Sequence, residues 1–351
     1  MLFSVVILST VAEPTAPSTT RVDGAASALF VLWWQANATR AQPGFFFSCG
    51  QIGKTGTSDW RQCACVKEPC ENCYRWWDAV ALEMLANRGL WIGGLPDPQH
   101  AAAARTTLAH APYNSAWTGP CPFVDDFGWF LLAYARVYEW LGDDGFLAAS
   151  EGLHDWVMTK QEAGTHGCGG ITWQACGPKE GCACSKNSVT LLEVLIGSAR
   201  LARLVPGKPR YLSVARELWD WFHTFDLFND DGLVADGLTA ADGKGDCCNA
   251  THAPVCESNK GSGFSYNQGL YLSAAAHLFN LTADPRYLSR TSRLMDAILE
   301  NATDPSGTLL GETSGIQTRE PEPTRKLEAR QAADQMCMLW LTHALADAGF
   351  C

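Results

Sequence analysis

Three times the chain turns from one helical stretch into the next in the same way. Trp140-Leu141-Gly142-Asp143 precedes Phe146-Leu147, Val205-Pro206-Gly207-Lys208 precedes Tyr211-Leu212, and Thr282-Ala283-Asp284-Pro285 precedes Tyr287-Leu288. The Gly, Asp and Pro residues stop one helix and start the next, and the aromatic-Leu step can pack back on the end of the first. Repeated helical hairpins bury their apolar faces only against neighbours, so they build either an open solenoid or a closed ring. Irregular repeats joined by long Cys-rich loops favour the ring, with the loops gathered at one mouth. Helical periodicity predicts helices over about 22–41, 74–87, 126–141, 145–159, 187–204, 209–225, 267–281, 285–301 and 327–348. Strand-like alternation is scarce. The chain reads as all-α, one domain over 21–351, with no Pro- or Ser-rich linker dividing it.

With 47% hydrophobic and 18% charged residues, a chain of 351 residues can bury one sizeable core. A net charge of −11 and the lack of a basic stripe argue against a nucleic-acid partner. Fifteen Cys lie mostly in loop-like stretches, among them Cys49, Cys63, Cys65, Cys70, Cys73, Cys168, Cys176, Cys182, Cys184, Cys247, Cys248 and Cys256. Their spacings lack the paired Cys-x2-Cys arrangement of a zinc ribbon. Four glycosylation sequons, at Asn37, Asn249, Asn280 and Asn301, accompany them. Together they predict a disulfide framework and the secretory route, with an odd Cys left over. Residues 1–20 read as a candidate signal peptide and leader, although a basic start is missing. No later run approaches ~18 apolar residues, so no membrane span is expected.

The strongest chemical candidate is Val124-Asp125-Asp126-Phe127-Gly128-Trp129, where two carboxylates open an apolar helix. Helix capping alone is a serious alternative, with the pair at the N-cap and N1. Against it stand the aromatic flanks and the Cys121-Pro122 step that fixes the loop ahead. Two crowded carboxylates cannot both ionise easily, so one is expected to hold a proton. An ionised nucleophile beside a protonated acid is what glycoside hydrolysis requires. Tyr266-Asn267-Gln268-Gly269, Gly169-Gly170-Ile171-Thr172-Trp173, Lys186-Asn187 and Asp236-Gly237 are further polar clusters near helix starts, each compatible with a cap, a turn or core. The Gly pair lacks a phosphate-binding fingerprint, no Gly-x-Ser-x-Gly elbow occurs, and no metal-ligand spacing stands out. No cofactor and no metal are expected.

In order and spacing these pieces resemble the family 76 glycoside hydrolases, the endo-α-1,6-mannanases, which include fungal cell-wall proteins thought to act as transglycosidases. The resemblance rests on Trp76-Trp77-Asp78-Ala79, Asp125-Asp126-x-Gly128-Trp129, Gly169-Gly170-Ile171-x-Trp173, Lys186-Asn187, Gly232-Leu233-Val234-x-Asp236-Gly237 and Tyr266-Asn267-Gln268-Gly269. It implies an (α/α)6 barrel and a retaining mechanism, with Asp125 as nucleophile and Asp126 as general acid/base. Asp78, Trp173, Asn187, Asp236, Tyr266 and Asn267 would line the sugar groove. The implied partner is an α-mannan-type polysaccharide, met by a monomer that is secreted or held in a cell wall. The stretches 44–73, 176–184 and 247–256 are insertions relative to that family, and Ser188 stands where Ala is common. A transglycosylase using the same pair and a non-catalytic glycan-binding wall protein are the competing readings. Another α/α-barrel enzyme, an epimerase or lyase, would want a His or Tyr base at an equivalent helix start.

Overall fold

The structure is a computed structural model that describes residues 26, 34–35, 45–46, 76–93, 95–110, 123–161, 168–173, 186–238, 256–260 and 263–301. Its helices are α1 (Trp76–Ile92), α2 (Pro98–His110), α3 (Val124–Leu141), α4 (Asp144–Met158), α5 (Ser188–Leu204), α6 (Arg210–Thr224), α7 (Ser265–Thr282) and α8 (Thr291–Asn301). A 3-10 turn, Pro285–Leu288, lies between the last two.

Burial divides the helices into two layers. In α3 every residue from Asp126 to Val137 is buried, in α5 every one from Ser188 to Leu201, and in α7 every one from Asn267 to Leu278. A helix buried all round is enclosed by others. By contrast α4 buries Phe146, Ser150, Leu153, His154 and Val157, and α6 buries Tyr211, Ala215, Leu218, Trp219 and Phe222. The two share one spacing, a single stripe with the opposite face in solvent. Thus α1, α3, α5 and α7 form the inner layer, with α4 packed on α3, α6 on α5, and the 3-10 turn and α8 on α7.

Cross-helix contacts fix direction. Along α3 and α5, Gly128 faces Glu193, Leu131 faces Gly197, the Leu132 carbonyl accepts from Arg200, and Glu139 pairs with Arg203. Both sequences climb together, so the inner helices are parallel and their N-termini share one mouth. Against α3, Ser150 donates to the Leu131 carbonyl and Trp156 stacks on Phe127, which makes α4 antiparallel. The ion pair between Glu83 of α1 and Arg200 of α5 (2.6 Å) bridges the two helices that flank α3, across the inside of the arc. This is the helical barrel that the hairpin repeat and the family resemblance predict.

The repeated turns behave as their sequences dictate. Gly142 (φ 65°) and Ala283 (φ 54°) end their helices in the left-handed region, and Asp143 and Asp284 then cap the next element. Phe146, Tyr211 and Tyr287 are each fully buried. Several expectations need correction. Within the helix predicted over 22–41, Trp34–Gln35 instead form a strand, β1, in a short antiparallel ladder with β2 (Phe45–Phe46). The helix predicted over 285–301 is split by the turn at Ser289 and Arg290. Helix α2 was not anticipated, because Ala-rich residues 101–104 carry no large apolar period. Its start signal was nonetheless present, with Asp97 accepting from the Gln99 and His100 amides ahead of Pro98. The leader over 1–20, the helix predicted over 327–348, and the Cys residues other than Cys168 and Cys256 lie outside the described residues. No described helix is long and apolar enough to cross a membrane.

Candidate active site at the N-terminal mouth

Helix α3 starts two residues earlier than the sequence suggests. Its N-cap is Phe123, whose side chain makes no capping bond, so Asp125 and Asp126 fall inside the first turn rather than at the N-cap and N1. Neither carboxylate is therefore the helix cap. Asp125 Oδ1 accepts the Asp126 amide N–H (3.1 Å), and Asp125 Oδ2 accepts the indole N–H of Trp173 (3.0 Å). An indole N–H only donates, and so does an amide N–H. Both oxygens of Asp125 thus meet donors, the arrangement that suits a carboxylate anion. Burial opposes that charge and, with the two bonds lowering it again and Asp236 raising it, leaves the carboxyl at a pKa of about 6. Asp126 is 5% exposed, whereas Asp125 keeps an open side.

The mouth is assembled by short backbone clasps. The Val124 amide donates to the Trp173 carbonyl (2.6 Å), and Trp173 packs on Phe123. Asn187 pairs with Gly237 and Leu238 with Ser258, so the segments before α5, after α6 and before α7 lie side by side. A Cβ on Gly237 would sit 2.2 Å from the Lys186 carbonyl, so only glycine permits this approach. Gln268 of α7 grips the same strand, accepting from the Val234 amide and donating to the Val234 carbonyl. The disulfide Cys168–Cys256 ties the turn that leads to Trp173 to the segment ahead of α7. Gly169 and Gly170, both at positive φ, let that turn pass over Trp221, whose indole donates to the Cys168 carbonyl.

Of the predicted site residues, the structure joins Asp125, Asp126, Trp173 and Asp236. The Asp236 carboxyl is raised by burial, and its charge acts on Asp125. Asn187 is the N-cap of α5: its Oδ1 accepts from the Thr190 amide and hydroxyl. That atom serves the helix, which was the alternative reading for this residue. Asp78 lies buried in the first turn of α1. Asn267 is fully buried in the first turn of α7, with neither side-chain polar atom hydrogen-bonded among the described residues. Tyr266 is half-buried and stacks on Phe264. Among the described residues, no three His, Cys, Asp or Glu side chains converge as metal ligands.

Sequence reasoning missed Glu193. It is wholly buried on α5, and Asp125, Asp126 and Glu83 all act on it. Burial first, then these neighbouring charges, push its carboxyl well above the usual range. The signal was present in Leu191-Leu192-Glu193-Val194-Leu195, one acid inside an unbroken apolar run.

The helical barrel thus carries two adjacent carboxylates at the mouth of its inner helices. The chain belongs to glycosyl hydrolase family 76, whose sequence pattern matches residues 46–331. It is 31% identical over 131 residues to the mannan endo-1,6-alpha-mannosidase DCW1 of Candida albicans, covering 37% of this chain and 26% of that one. The DCW1 of Candida glabrata is 32% identical over 132 residues, with the same coverage of 37% and 26%. The chain thus spans about a quarter of the length of these curated relatives. In fold it is similar to an inactive variant of the alpha-1,6-mannanase GH76A of Salegentibacter sp. HEL1_6, solved in complex with alpha-1,6-mannotetrose. The TM-score is 0.61 at 19% identity, over 86% of this chain and 76% of that one.

Proposed function

We propose that the protein cleaves α-1,6-linked mannan-type glycan with retention, using Asp125 as nucleophile and Asp126 as general acid/base. The observation that carries the reading is the pair of N–H donors on Asp125, which favours the anion a nucleophile must be. Asp125 attacks the anomeric carbon while the bond to the leaving oxygen breaks and Asp126 gives that oxygen its proton. Asp126 then takes a proton from water, which releases the sugar from Asp125. The mannanase names carried by the relatives and the mannotetrose in the similar structure support the choice of glycan. In that similar structure the variant was made inactive at two adjacent aspartates.

Trp173 and Tyr266, both half-buried, are the aromatic surfaces offered to sugar C–H faces. Asp236 lies beside the nucleophile, Asp78 and Asn267 are buried in the first turns of α1 and α7, and Asn187 acts through its cap. The protein works as a monomer in the secretory pathway or cell wall; the Cys168–Cys256 bond and the exposed sequon residue Asn280 support that setting. Transfer to a second sugar is the other reading. It is favoured by the clasped mouth, since loops that shield the glycosyl-enzyme from water let an acceptor compete.

The test is reducing-sugar release from linear α-1,6-mannan by wild type beside Asp125→Asn. Release by the wild type alone supports the hydrolase. No release from either, with product formed only when an acceptor sugar is added, replaces hydrolysis by transfer. Equal release from both removes Asp125 from the mechanism.

A further inference from the structure

Glu193 is an expensive choice of residue for its position. Its side chain is wholly buried, and neither carboxyl oxygen has a hydrogen-bond partner among the described residues. The same site carries a second cost. A Cβ on Gly128 would lie 2.1 Å from Glu193 Oε2 and 2.9 Å from Glu193 Cβ. Glycine inside a helix destabilises it, and here it opens the space that this acid fills. An apolar side chain on α5 would avoid the first penalty.

The surroundings say what the carboxyl is for. From α3 it is faced by Asp125 and Asp126, three and two residues before Gly128, and from α1 by Glu83. The buried cation further along its own helix, Arg200, is held by Glu83 at 2.6 Å and by the Leu132 carbonyl at 3.0 Å. On α7, His277 lies at Arg200 rather than at Glu193. Lys186 is buried at the mouth end, just before α5 begins, and its charge is not among those acting on Glu193. Glu193 is therefore enclosed by acids, with the nearby guanidinium committed elsewhere, a setting in which a carboxyl keeps its proton.

We propose that Glu193 is a positioning residue of the glycosidase reaction, a neutral acid whose O–H turns to the Asp126 carboxylate as Asp126 protonates the leaving oxygen. The proposal rests on the reading of Asp126 as general acid/base. Glu193 keeps its own proton throughout; the transferred proton is that of Asp126, and the hydrogen bond stabilises the charge left behind. Burial and the neighbouring acids, which raise the Glu193 carboxyl, keep that donor available at neutral pH.

Carboxyl-carbon NMR titration of wild type, Glu193→Met and Glu193→Gln tests this without requiring turnover. Glu193 is expected to stay protonated at pH 7 in the wild type. In E193M the upper titration of the Asp pair rises by about one unit, the loss of one donor. In E193Q, which keeps an N–H donor, it stays near the wild type. On mannan, E193M lowers kcat about tenfold with KM steady, while its Tm equals or exceeds that of the wild type. A pair titration that falls in E193M would mean Glu193 is ionised, and an unchanged one would make it a spectator; either result overturns the proposal. If E193M fails to fold, an ionised Glu193 resonance at pH 7 in the wild type overturns it alone. Failure of the mannanase reading shows separately, as a wild type inert on mannan.

Discussion

The two ends of the inner layer treat buried charge in opposite ways. Deep in the barrel, charges are matched. Arg200 pairs with Glu83, and Arg136 pairs with Glu139 (2.6 Å) and donates to Asn87. Arg203 closes the set on Glu139. His277, buried beside these guanidinium groups, is held neutral by burial first and by Arg200, Arg203 and Arg136 next. At the mouth, Asp125, Asp126, Asp236 and Glu193 gather with acids as neighbours, and the two donors that meet Asp125 are uncharged. Paired buried charge is what a fold tolerates; buried acids that raise one another's pKa are what chemistry uses.

The largest effect should separate the two ends by activity. Asp125→Asn is expected to lower mannan cleavage about a thousandfold or more while the protein stays folded, read by initial rates beside circular dichroism. Retained activity would end the distinction. Arg200→Met should do the reverse, by stripping Glu83 of its partner. The expected loss is about 3–5 kcal/mol in urea unfolding. A neutral result there would make the deep network dispensable.

Next comes the disulfide. Replacing both Cys168 and Cys256 by Ser should cost up to about 4 kcal/mol, given their sequence separation of 88. Because the bond anchors the turn leading to Trp173, kcat should fall more than the melting temperature implies. Equal activity after correction for folded fraction would confine the bond to stability.

The smallest effect is the pH dependence of stability. In the folded protein the Asp125 carboxyl titrates at about 6, above its unfolded value near 3.9. A raised value means that folding favours the protonated form. That contribution is complete below about pH 4 and is lost as pH rises through about 6. Asp125→Asn should therefore match wild type at pH 4 and exceed it by about 2 kcal/mol at pH 8, less than the full shift because the residue keeps an open side. In the same window kcat/KM should fall as pH drops below about 6, when the nucleophile gains its proton. Stability that is equal at both pH values would place an unperturbed carboxyl at the mouth.

Legibility followed the range of the interactions. The hairpin turns were readable because a left-handed residue, a capping Asp and a buried aromatic act within a few positions, as at Gly142, Asp143 and Phe146. The Asp125-Asp126 step was readable as a crowded pair. Its place in the helix was not, because nothing local announces Phe123 as the N-cap. The ladder of Trp34–Gln35 on Phe45–Phe46 was missed for a related reason: two-residue strands have too little alternation to outweigh the helical period around them.

The sequence by itself determined an all-α chain of stacked hairpins, an acid pair at a helix start and a Cys content suited to disulfides. Each of these depends on neighbours along the chain. Tertiary structure alone decided that the inner helices run parallel, that Glu83 reaches Arg200 across the arc, and that Gly128 makes room for Glu193 below the pair. Those partners stand tens of residues or more apart in sequence, and only packing brings their carboxyls close enough to change one another's charge.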